Sequence, residues 1–199
     1  MNITVKEIQA WLSDFEQAIA ENKAYLSELD TPIGDGDHGN NMDRGMTEYA
    51  KVVKEKQPQT ISDTFKILSM ALISKVGGAS GPLYGSAFMN LTKETNNLTE
   101  ITNKQELVEL LEAGLQGIQA RGKAVPGDKT LVDVWQTVID DLKNTELSSD
   151  SIEAAKEKTK DMQAKKGRAS YLGERSIGHI DPGAASSAIL FQSLLPYLN

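Results

Sequence analysis

Apolar residues recur along this chain with the period of an α-helix. Ile8, Leu12, Phe15 and Ile19 share one helical face, and Thr4 followed by Glu7 forms a capping box that satisfies the first free N–H groups, so a first helix is expected up to about Leu29. Met42, Met46, Tyr49 and Val53 mark a second over roughly 39–54. Phe65, Leu68, Leu72 and Val76 mark a third, stopped by Gly77 and Gly78, and a fourth runs from near Gly81 towards Asn96. Thr102 and Gln105 form a second capping-box pattern ahead of Leu107, Leu110, Leu111, Leu115 and Ile118 in a fifth helix. Leu131, Val134, Trp135, Val138 and Leu142 make a sixth, and Ile152, Ala155 and Met162 a weaker seventh. Asp181 before Pro182 caps an eighth that carries Ile189, Leu190 and Leu194. No alternating strand is evident, so the expected class is all-α, with 199 residues forming one domain around one core.

The polar residues between these stripes are unevenly distributed. Glycines, prolines and aspartates collect in 30–41, 77–86, 121–130 and 167–183, which follow helices one, three, five and seven. Alternate connections of an up-and-down helical array lie at the same end, so these four loops are expected to share one rim. The last is longer than most connections in compact domains, a length that usually serves function.

Charge and composition narrow the chemistry. The formal net charge of −7 supplies no general attraction for nucleic acid or an anionic membrane, so an anionic ligand must be held locally. With no cysteine there are no disulfides, thiolate nucleophiles, iron–sulfur clusters or cysteine zinc sites. No window reaches the roughly 18 apolar residues of a membrane helix, and the N-terminus has no secretory pattern; a cytoplasmic location is expected.

Asp30, Asp35 and Asp37 place three carboxylates within one glycine-rich turn. Aspartate alone suits turns, but three like charges this close call for cations among them, and Mg²⁺ bridging to phosphate fits a hard-oxygen set with no EF-hand register. The small residues of Gly77-Gly78-Ala79-Ser80-Gly81-Pro82 let backbone N–H groups approach an anion at a helix start, although a helix stop followed by a proline start reads equally well, and no P-loop pattern occurs. Arg168, in the long loop, could bridge phosphate oxygens or sit solvated. His38 is expected to orient its loop or touch a nucleotide, and His179 is given no role. The serines form no hydrolase triad, and Trp11 and Trp135 belong to the core stripes.

The segments DGDHGNNM, GGASGPLYG, GKAVPGDKTLVD and GRASYLGERSIGHIDPGAASS occur in order, and on them the chain resembles the ADP-binding L-type (DhaL) subunits of phosphotransferase-system-dependent dihydroxyacetone kinases. The resemblance implies a barrel of eight amphipathic helices with ADP held as a cofactor at its loop end, bridged through two Mg²⁺ to Asp30, Asp35 and Asp37. It implies nucleotide contacts by His38, Gly39, Asn40 and Asn41, by Ala79 and Ser80, by Gly122 and Leu131, and by Arg168, Asp181, Pro182 and Gly183, with Arg168 also meeting the transferred group. The implied partners are a K-type subunit that binds the sugar and an M-type phosphohistidine donor; a homodimer is left open, and neither nucleic acid nor membrane is involved. An ATP-dependent kinase subunit for another substrate, and a nucleotide-sensing module that binds a transcription factor, are the alternatives.

Overall fold

A computed structural model describes residues 1–198. Eight α-helices form among them: α1 (Val5–Asp30), α2 (His38–Lys56), α3 (Ile61–Lys75), α4 (Ser80–Glu94), α5 (Lys104–Gly122), α6 (Leu131–Asn144), α7 (Ser149–Lys158) and α8 (Pro182–Leu194). Each packs against its sequence neighbours, and α8 returns to α1, so the ring closes. The short α7 touches both α6 and α8, which also touch each other, so it covers their seam. The interior is filled: Trp11, Phe15, Phe65, Phe88, Trp135 and Phe191 are almost fully buried, with Phe65 edge-on to Trp11 and Phe191 edge-on to Trp135. No helix among the described residues is long and apolar enough to cross a membrane.

The helical stripes predict the elements well, with three local corrections. An antiparallel pair, β1 (Ile3–Thr4) with β2 (Glu100–Ile101), joins the chain start to the α4–α5 connection. Two residues are too few for alternation to register in sequence. The cap of α5 is Asn103, whose side chain accepts the Glu106 N–H at 3.0 Å, rather than Thr102. Thr102 instead donates its own N–H to the Glu106 carboxylate at 2.7 Å, so the cap is shifted by one residue and no reciprocal box forms, as asparagine caps at least as well as threonine. Finally, α7 ends at Lys158 and passes into a 3₁₀ turn at Thr159–Asp161, leaving Met162 beyond the helix.

Odd-numbered helices run towards one rim and even-numbered helices run back from it. His38, Ser80, Leu131 and Pro182, the first residues of α2, α4, α6 and α8, all line a cavity of about 780 Å³ at that rim.

Candidate nucleotide and metal site

The turn after α1 is built around one carboxylate. The Asp30 carbonyl accepts the N–H groups of Ile33 and Gly34, while Asp30 Oδ2 accepts those of Asp37 at 3.0 Å and His38 at 3.2 Å. The chain therefore wraps the Asp30 side chain and turns directly into α2. Only glycine fits at position 34, where a Cβ would stand 2.0 Å from Asp30 Oδ1. The wrapping brings Asp35 and Asp37 beside Asp30, with one oxygen of each carboxylate within 4.8 Å of the others. Asp30 is buried and the other two are exposed. Arg168 reaches the cluster from the long loop, its Nη1 lying 3.1 Å from Asp35 Oδ2.

His38 is buried beneath this turn. Its Nδ1 lies 3.2 Å from Ser80 Oγ at the start of α4, and its Nε2 lies 2.9 Å from Ser186 Oγ on α8. Burial pushes the imidazole down to about 4, against the opposing pull of Asp37, so the ring is neutral at pH 7. The Tyr84 hydroxyl extends the chain of contacts, at 2.7 Å from Ser186 Oγ and 2.8 Å from Ser187 Oγ, and Trp135 Nε1 donates to Ser187 Oγ at 3.2 Å. A buried polar network thus links α2, α4, α6 and α8 under the cavity floor, where satisfied polar groups fix one packing arrangement.

The four helix starts differ in how they are capped. Thr130 and Asp181 cap α6 and α8, and the first N–H groups of α2 are taken by the Asp30 and Ser27 side chains, whereas α4 has no side-chain cap. At α4, Pro82 lacks an N–H, so the Ser80 and Gly81 N–H groups at the helix start are the donors available to an anion. Asp181 accepts the Ala184 N–H at 2.8 Å, and desolvation raises its carboxyl to about 7. Ile33, Leu83, Ile118 and Leu131 give the cavity an apolar wall beside these polar groups.

Most residues named from the sequence converge here. Asp30, Asp35, Asp37, His38 and Asn41 line the cavity from the first loop, Ala79 and Ser80 from the second, Gly122 and Leu131 from the third, and Arg168, Asp181, Pro182 and Gly183 from the fourth. Gly39 and Asn40 are not among the lining residues. Gly39 donates its N–H to Ser27 Oγ at 3.1 Å and packs so closely on α1 that a Cβ would meet the Lys23 carbonyl at 1.8 Å; Asn40 is exposed. Sequence reasoning passed over Tyr84, Ser186, Ser187 and the buried Lys129. The serines were detectable as a polar pair inside an apolar helical stripe. Lys129 stood within a motif already noted, but its burial had no signal.

The DAK2 domain pattern matches residues 32–196. The chain belongs to the DAK2-domain family. It is 54% identical over 185 residues to the PEP-dependent dihydroxyacetone kinase 1, ADP-binding subunit DhaL, of Listeria innocua, an alignment covering 93% of this chain and 92% of the relative. It is 51% identical over 193 residues to the PTS-dependent counterpart of Lactococcus lactis, covering 97% of each. The dihydroxyacetone kinase of C. freundii, solved in complex with AMP-PNP and Mg²⁺, shares the fold at a TM-score of 0.77 and 23% identity; the match covers 99% of this chain and 35% of that kinase.

The residues of this DAK2 domain fit a divalent metal and a polyphosphate. Three clustered carboxylates offer the hard oxygen donors that Mg²⁺ takes, and the uncapped start of α4 offers N–H donors to anionic oxygens. Without metal the cluster would repel phosphate.

Proposed function

We propose that this chain is the ADP-binding subunit of a dihydroxyacetone kinase that takes its phosphoryl group from a phosphohistidine protein. The observation that carries the reading is the Asp30–Asp35–Asp37 cluster, with carboxylate oxygens within 4.8 Å of one another, opening on a cavity where four helices begin. The names of relatives more than 50% identical along almost their whole length support it.

In this reading Asp30, Asp35 and Asp37 hold two Mg²⁺. The Ser80 and Gly81 N–H groups receive phosphate oxygens, and the apolar wall around Leu83, Ile118 and Leu131 accepts the base. Bound Mg²⁺ and ADP supply charge neutralisation and a phosphoryl relay from the donor protein to dihydroxyacetone, yielding dihydroxyacetone phosphate. Neutral, buried His38 holds α2, α4 and α8 together rather than moving a proton. Arg168 supplies the positive charge that meets the transferred group, and catalysis is by positioning and electrostatics. The sugar is held by a K-type subunit and the donor is an M-type protein, both in the cytoplasm.

The donor experiment tests this. The chain and a K-type partner are supplied with either excess ATP or a phosphohistidine M-type protein, and sugar phosphate is followed together with release of labelled ADP. Turnover with the phosphoprotein while labelled ADP stays bound is the expected result. Sustained turnover on ATP alone, with ADP exchanging at the same rate, would assign the chain to an ATP-dependent kinase.

A further inference from the structure

Lys129 is 1% exposed and stands in the left-handed region at φ 62°. The other non-glycine residues with positive φ, Gln57 and Lys123, simply end helices, whereas Lys129 lies in the loop before α6. That conformation costs a lysine about 1 kcal/mol and persists only where neighbours impose it. They do so here: Asp133 accepts the Gly127 N–H at 2.6 Å and the Thr130 N–H at 2.8 Å, so the loop is held on both sides of Lys129.

The ammonium reaches two main-chain carbonyls that are far apart in sequence. It donates to Thr159 O at 2.7 Å and to His179 O. These two residues begin and end the excursion between α7 and α8. Gly178 N donates to Lys160 O at 2.7 Å and Asp181 N to Thr159 Oγ1 at 3.0 Å, so the segment is a flap on a closed neck. Arg168, which spans the cavity to Asp35, is carried by this flap.

We propose that Lys129 is a positioning residue: its buried ammonium clamps the neck of the 162–177 flap and so fixes where Arg168 stands over the cavity. The inference rests on the proposed role of Arg168 for its catalytic consequence, but the clamp itself is tested separately. Desolvation opposes the ammonium's charged form, and the charges of Asp181 and Asp161 favour it. A neutral side chain of similar length would leave two carbonyls without their donor and leave the closure to the Gly178–Lys160 and Asp181–Thr159 bonds and the Lys165 N–H bond to Asp128 O, so that the neck opens more readily.

The test is Lys129→Met in the full chain, alone and combined with Arg168→Ala, read by hydrogen exchange and by turnover with both partner proteins. Exchange in 162–177 is expected to rise about tenfold or more with the core amides of α1–α5 unchanged, reflecting local rather than global opening. Turnover is expected to fall about tenfold while ADP retention changes less than about threefold, and to fall no further than about twofold when Arg168 is already alanine. Unchanged exchange in 162–177, exchange rising equally across the helices, or an undiminished loss of turnover in the Arg168→Ala background would each overturn the clamp. Wild-type turnover in Arg168→Ala alone would remove Arg168 from the proposed mechanism, yet the exchange measurement would still decide whether Lys129 holds the flap. Because the chain has no cysteine, a Lys129→Cys variant aminoethylated in denaturant and refolded restores an ammonium at this one position. Recovery of flap protection over the unmodified variant supports the clamp, and indifference to the modification overturns it.

Discussion

The two ends of the helical ring treat their backbone in opposite ways. At the end remote from the cavity, α1, α3, α5 and α7 begin behind Thr4, Thr60, Asn103 and Ser148, and each of these side chains accepts an N–H from the first turn. That end also carries the β1–β2 pair. Its helix starts are satisfied by the chain's own side chains. At the cavity end α4 begins without a side-chain cap, carboxylates crowd together, and an arginine crosses from a long flap to one of them. The difference teaches where an all-helical fold leaves room for ligand chemistry: at the end where a helix start and clustered charges are not completed by the chain itself. Perturbing the cavity end should therefore damage ligand handling with little change in the apo fold, and perturbing the remote end should do the reverse.

The largest expected effect is at Arg168. Arg168→Ala should lower turnover with the donor and sugar-binding partners by about a thousandfold, the scale of an arginine that meets charge in phosphoryl transfer. Because the residue is two-thirds exposed and its pairing with Asp35 is a surface ion pair, the apo melting temperature should hardly change. Lysine should restore activity only in part, since a point charge lacks the planar fork. Steady-state kinetics beside a melting curve separates the two readouts, and wild-type turnover would return Arg168 to the solvated surface.

The next effect is at the cluster. Asp35→Asn or Asp37→Asn should weaken Mg²⁺-dependent ADP binding by about a hundredfold, corresponding to about 2.7 kcal/mol. Apo stability should stay close to that of the parent, because both carboxylates are exposed and it is Asp30 that organises the turn. The check is thermal melting with and without ADP and Mg²⁺. The parent should gain stability from the ligand through mass action, and the variants should lose most of that gain. Equal shifts in both conditions would mean that the aspartates act as separate turn residues.

The same division explains what the sequence could reveal. The helices were legible because each presents a stripe of Leu, Ile, Val and aromatic residues to one core, as Leu107 to Ile118 and Leu131 to Leu142 do in α5 and α6. The Asp cluster was legible because carboxylates, glycine and proline in one turn are unusual together. What stayed hidden is polar but buried. Tyr84 reads as an ordinary helical residue, Ser186 and Ser187 show only as a polar break in an apolar stripe, and nothing marks Lys129 as buried, until the fold places them against one another or against distant carbonyls. Gly39 shows the converse: it lies inside a recognisable motif, yet its close approach to the Lys23 carbonyl serves helix packing. A motif names a neighbourhood, and only the packing says which of its members face the cavity.

The smallest effect sharpens the comparison from the remote end. Thr60 Oγ1 accepts the Asp63 N–H at 3.0 Å and its hydroxyl donates to the Asp63 carboxylate at 2.8 Å, so Thr60→Ala removes the cap of α3 and leaves a first-turn N–H to water. Such a loss costs about 1 kcal/mol. In a chain of this size that corresponds to a fall of about 2–4 °C in melting temperature. Because the change is at the start of α3, while the cavity is met by the connection after its end, ADP affinity and the ligand-induced stabilisation should match the parent within error. Calorimetric titration of ADP with Mg²⁺ and paired melting curves decide the matter. A fall in apo melting temperature with unchanged ADP affinity keeps the two ends separable, whereas weaker ADP binding in Thr60→Ala would show that capping at the remote end is coupled through α3 to the nucleotide site.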